Sequence, residues 1–180
     1  MADRFPEITS VEEFIRLRES ADPAEYNRSA WATLPLPVWW ELVRDHPGMR
    51  FWAAHNRTAP PEILAELIKD SDWRVRDRVA GKRNCPPELL EQLADDPHDA
   101  VRRIVAGHPH SPRSTVARLV DDPWPVIARE ARARLANWPS TKANERGTAD
   151  HDCSAAAQQH PVRSEPEPRA PAGDGHEVVQ

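Results

Sequence analysis

The chain has 180 residues, 39% of them apolar and 29% charged, with a formal net charge of -5. This composition suits one globular domain plus an appendage, and two cysteines exclude a disulfide framework. No apolar run approaches the roughly 18 residues that a membrane helix needs, so no membrane partner is expected.

Residues 1–9 read as an N-terminal extension. Met1-Ala2-Asp3-Arg4-Phe5-Pro6 has no apolar stretch behind a basic flank, so no secretory signal is read and a cytoplasmic location is expected. Ser10-Val11-Glu12-Glu13 is a capping-box helix start, followed by an apolar side of Phe14, Ile15 and Leu17. Asp22-Pro23 marks a turn, and Tyr26, Ala30 and Trp31 form a second apolar face. Residues 10–36 are thus a degenerate helix pair suited to capping the end of a stack. Residues 37–60 form a shortened unit, with Trp39, Leu42 and Val43 on its first helix and Phe51 and Trp52 on a second, from about Met49 to Ala54.

Two copies of one unit follow, at 61–86 and 87–112. Pro61 falls on Pro87, Leu67 on Leu93, Asp70 on Asp96, Val75 on Val101, Arg76 on Arg102 and Gly81 on Gly107, each 26 positions later. A constant period in the range of about 20–50 residues is the signature of a stacked array. Within each unit a Pro-started helix carries an i, i+3, i+4 stripe (Leu64, Leu67, Ile68; Leu90, Leu93, Ala94). An acidic turn precedes a shorter helix carrying Val75 and Val79, or Val101 and Val105. Gly81 and Gly107 are expected as C′ glycines, and the hydroxyl of Ser111 as an N-cap. Residues 113–139 are a last unit whose second helix, with Ile127 and Ala131, is richer in Ala and Arg, as a terminal cap requires. From 140 to 180 there is no Leu, Ile, Phe, Trp, Tyr or Met, so this tail is expected to be disordered.

The unit PPELLEQLADDP…AVRRIVAGHPHSP resembles the leucine-rich repeat variant, a HEAT-like repeat, over roughly Leu36 to Pro139. The resemblance implies an all-α fold, a right-handed α-solenoid of short helix pairs, the hand being taken by analogy with known solenoids. Some members carry a cysteine-rich iron–sulfur module. This chain does not match that pattern, since Cys85 and Cys153 are its only cysteines.

Three groups of residues invite a functional reading. Trp73 and Trp124 stand in the acidic turns, where the equivalent positions in other copies are polar (Asp99 and His98). An aromatic edge of this kind can anchor a protein partner. Trp40 lies beside the apolar stripe of its helix and is expected to be the most exposed of the N-terminal tryptophans. The return loops Asn56-Arg57-Thr58, Lys82-Arg83-Asn84 and His108-Pro109-His110 are expected to stack into a polar, mildly basic ridge, either ordinary solvated loop or a surface for an acidic partner or phosphate. His98, His108 and His110 lack further ligands at metal-site spacing, and His151, Asp152, Cys153 and His160 lie in the tail, so no metal is assigned. Arg76 and Arg102, repeated with Asp70 and Asp96, read as a structural ladder. Cys85 reads as a small packing residue. There is no Gly-rich phosphate loop, nucleophile elbow or HExxH, so no catalytic residue and no cofactor is assigned.

A non-catalytic protein-interaction scaffold, expected as a monomer, accounts for these features; toxin neutralisation in the manner of an immunity protein is one specific form of it. A nucleic-acid-binding or base-excising enzyme on a HEAT-like fold is the contrasting reading, as is a helper that handles bilin chromophores. DNA binding calls for clustered Lys and Arg, whereas residues 1–139 hold 20 basic against 22 acidic residues.

Overall fold

The computed structural model describes residues 7–139; residues 1–6 and the tail from Ser140, with the expectation of its disorder, lie outside the described residues. The described residues form five helix pairs and no strand. The pairs are α1 (Val11–Glu19) with α2 (Pro23–Trp31), α3 (Leu36–Asp45) with α4 (Arg50–His55), α5 (Pro61–Leu67) with α6 (Trp73–Ala80), α7 (Pro87–Leu93) with α8 (Asp99–Gly107), and α9 (Arg113–Arg118) with α10 (Pro125–Ala136). Single 3-10 turns, Pro47–Met49 and Leu119–Asp121, extend the connections of the second and the last pairs.

Helices this short are marginal in water and are held by packing. The predicted columns supply it: Leu64, Leu90 and Val116, then Leu67, Leu93 and Leu119, are all buried, as are Val75, Val101 and Ile127. The second helices stack directly, α4 on α6, α6 on α8 and α8 on α10. Ile8, Phe14, Leu17 and Trp39 close the N-terminal end of the core.

The caps follow local chemistry, with some departures from expectation. Ser10 Oγ accepts the Glu13 N–H at 3.2 Å, and Glu13 reaches back to the Thr9 N–H at 3.2 Å, a capping box displaced by one residue. Helices α5, α7 and α9 have prolines Pro60, Pro86 and Pro112 at their N-caps and no side-chain cap. Ser111 is therefore not a cap: its buried hydroxyl donates inward to the Val105 carbonyl at 2.6 Å. Gly81 has φ -78°, and Gly107 is still helical, so neither is the left-handed C′ glycine expected.

The last three joints between helix pairs carry an ion pair, and the final two are nearly buried. Arg76 is bidentate to Asp96 (2.7 and 2.9 Å) while its Nη1 donates to the Asp70 carbonyl at 2.7 Å; Arg102 repeats this with Asp122 and the Asp96 carbonyl. Arg50 reaches Asp70 at 3.4 Å. The ladder read from sequence is present, but it runs between repeats, each arginine pairing with the aspartate of the following copy. The same aspartates accept the N–H two residues on, at Asp72, His98 and Trp124, each at 2.8 Å. One carboxylate thus forms the turn and receives the neighbour's guanidinium.

Candidate binding face

The return loops do not form the solvated ridge expected of them. Asn56, Lys82 and His108 are buried, at 0%, 8% and 5% exposure. With Arg134 they make a column at 26-residue spacing that faces the preceding repeat. The reason lies at the helix C-termini, where the last carbonyls have no intrahelical partner. Asn56 Nδ2 donates to the Ser29 and Ala32 carbonyls at 2.8 and 3.0 Å. Lys82 Nζ donates to those of Ala54 and Asn56, at 3.1 and 2.5 Å. His108 Nε2 meets the Lys82 carbonyl at 2.9 Å, and Arg134 Nη1 the Ala106 carbonyl at 2.7 Å. His108 Nδ1 accepts the His110 N–H at 3.1 Å, so the ring is the neutral Nε2–H tautomer. Burial lowers the pKa of His108 and pushes Lys82 down to about 8. Sequence reasoning missed Arg134 and the inward direction of this column. The available signal was that all four copies were polar while their chemistry varied, as a shared backbone acceptor permits.

Arg57, Arg83 and His110 do remain at the surface. Arg57 and Arg83 join His55, Arg78, Lys82 and Asn84 around a cavity of roughly 440 Å³ at the C-terminal ends of α4 and α6, with no carboxylate in its wall. His55 is held neutral-leaning, its pKa lowered by burial and then by Arg78, Arg18, Lys82 and Arg57. Behind it Arg18 is buried between the rings of Tyr26 and Trp52, 3.5 and 3.2 Å from their centroids. The Arg57 guanidinium covers the exposed ring of Trp31 at 4.0 Å.

The three tryptophans singled out from the sequence differ. Trp40 is half-buried against the core with Arg44 over its ring at 4.7 Å, and Trp31 is the exposed one, at 45%. Trp73 stacks on His98 of the next turn, centroids 4.0 Å apart and planes within 6°. Packing between repeats therefore does explain Trp73. Trp124 is 50% exposed, and its ring has no stacking or cation–π partner among the described residues. It opens onto a groove of roughly 650 Å³ across α6, α8 and α10, floored by Ile104, Gly107, Val126 and Ile127 and edged by Asp77, Asp99, Arg103 and Glu130. Burial raises the pKa of Asp77. A Cβ added at Gly107 would meet nothing within 4 Å, so glycine there leaves the groove open without being demanded by the backbone.

Cys85 is buried and its thiol is pushed up to about 12 by burial, far from a reactive thiolate. Among the described residues no three His, Cys, Asp or Glu gather as a metal site; His151, Asp152, Cys153 and His160 lie outside those residues.

The leucine rich repeat variant family model matches residues 73–98, which span α6, the return loop, α7 and the following turn. The repeat resemblance read from the sequence is thus shown over that segment. No curated protein and no solved structure matches the chain.

Proposed function

We propose that this chain is a non-catalytic scaffold that binds a protein partner along the groove formed by its second helices. The observation that carries this reading is Trp124: a half-exposed aromatic, unpartnered, beside the apolar floor of Ile104 and Val126 and within a rim of both charge signs. Interfaces are built on such anchors, an aromatic or apolar centre within a polar rim. Mixed charge on the rim disfavours the nucleic-acid reading, because a phosphate backbone would lie against Asp77, Asp99 and Glu130. The Arg–Asp pairs and the return-loop histidine are committed to structure, which supports a protein without catalysis. With this reading go a right-handed pile, a monomer and a cytoplasmic location.

The test begins with capture of partners from the native host and their identification by mass spectrometry. Affinity of the captured protein is then measured for the wild type and for Trp124→Ala and Ile104→Glu. A loss of about tenfold or more, roughly 1.4 kcal/mol, is expected in both, with an unchanged melting curve for the exposed Trp124→Ala. Equal affinity in both variants would remove the groove from consideration.

A further inference from the structure

We propose that the cavity at the C-terminal ends of α4 and α6 binds a short acidic segment of the partner protein, its carboxylates received by the exposed Arg57, Arg78 and Arg83, with the buried Lys82 ammonium adding positive charge behind them. This rests on the scaffold reading and adds the chemistry of what is bound. The four cations converge on one cavity, and none makes an ion pair among the described residues. Eight arginines elsewhere have carboxylate partners while, among the described residues, Arg18, Arg44, Arg74, Arg113, Arg129 and Arg134 do not, so what distinguishes this cavity is that four unpaired cations share one wall without an Asp or Glu in it. Like charges gathered without counter-charge repel, and an anion placed among them removes that repulsion as well as gaining its own attraction. Lys82 cannot swing away to relieve it, since its ammonium is tied to the Ala54 and Asn56 carbonyls. Arg57 and Arg83, by contrast, sit at the exposed rim, where guanidinium forks can take carboxylates two oxygens at a time.

Charge on the same helices limits how far the anion can extend. Asp77 precedes Arg78 on α6, and with Asp99 and Glu130 it edges the neighbouring groove. A phosphodiester strand continuing from the cavity would meet those carboxylates. A peptide with a few acidic residues ends before them and can present basic or apolar residues to them instead.

The probe is a dye-labelled short Asp/Glu peptide, followed by fluorescence anisotropy with the full chain. Its Asn/Gln counterpart and a single-stranded DNA of equal charge serve as comparisons. Binding that weakens with salt, and that falls about tenfold in Arg57→Gln/Arg83→Gln, is the expected result. Both arginines are exposed, and circular dichroism confirms that the variant keeps its helices. Trp124→Ala should bind the peptide as well as the wild type does. As a second readout, peptide binding should raise the titration midpoint of His55 in histidine NMR, because the surrounding positive charge is offset. The proposal is overturned if the acidic peptide does not bind, if the double variant binds it equally, or if His55 does not respond. DNA binding as tightly as the peptide overturns the assignment to an acidic protein segment. These failures are separable from failure of the scaffold reading, which is judged by the dependence of the captured partner on Trp124 and Ile104.

Discussion

Lys82 and His108 occupy the same place in successive repeats, and both are buried on a backbone carbonyl of the copy before. Their titrations should act on stability in the same direction but in different windows. Lys82 titrates near 8 in the folded chain and near 10.5 when unfolded. Between these values the unfolded chain holds more protons, so stability rises with pH; below 8 the full penalty of the buried charge applies. The gap corresponds to about 3 kcal/mol at most. Urea titrations of the wild type and Lys82→Met at pH 7.5 and 10 check it (with other alkaline titrations common to both), and the wild type should gain on the variant as pH rises. His108, its pKa lowered by burial, loses stability as pH falls below its unfolded value of 6.5, until the folded ring itself protonates. Protonation at Nδ1 would also set a proton against the His110 N–H. His108→Asn restores the amide that Asn56 uses for the same two bonds, donation to the preceding repeat and acceptance from the N–H two residues on. That variant should fold and lose the acid-side dependence, as thermal melts at pH 5 and 7 would show.

The joint between helix pairs is the next scale, and there the Arg–Asp ladder decides. Arg76 and Asp96 are nearly buried, with side-chain exposures of 11% and 3%. Removing the guanidinium leaves a carboxylate inside without its charge partner, which costs about 3–5 kcal/mol. Arg103 and Glu130 make a pair of similar appearance but are largely exposed, at 62% and 36%, where a pair contributes about 1 kcal/mol or less. Arg76→Ala should therefore lower stability several-fold more than Arg103→Ala in denaturant titrations. The aspartate explains the persistence of the acidic turn in every complete copy. It cannot be replaced by a residue that forms the turn alone, such as Ser, without also orphaning the arginine. Asp122, whose pKa is lowered by its bond to Arg102, shows the same attachment in the last repeat.

Over the described residues, stability comes from apolar columns that run through the last three pairs, Leu67, Leu93 and Leu119 among them. Leu93 lies between Leu67 and Leu119 and is 2% exposed, so Leu93→Ala should cost about 2–5 kcal/mol. His110 is exposed on a return loop, and His110→Ala should stay within about 0.5 kcal/mol. Urea midpoints of the two variants test the assignment of inner and outer faces; comparable shifts would show it to be wrong.

The sequence by itself determined the helical class, the pairing and the columns. Period 26 and the i, i+3, i+4 stripes are local facts: a position that is apolar in every copy has one use in a stack, and Leu67, Leu93 and Leu119 are all buried accordingly. It also singled out Trp73 and Trp124 together, as aromatics in turn columns that are otherwise polar, and could not tell that only Trp124 would be left without a ring partner among the described residues. Tertiary structure alone decided the fate of polar residues. A polar side chain is compatible with either water or a buried partner, and which it meets depends on backbone groups far away in sequence. Asn56, Lys82 and His108 looked like solvated loop until the preceding repeat's helix ends were in place to receive them, while Trp73 found His98 in the next turn. The cluster of His55, Arg57, Arg78, Lys82 and Arg83 likewise exists only once α4 lies on α6, because charge adds up through space and the residues that build it come from two repeats.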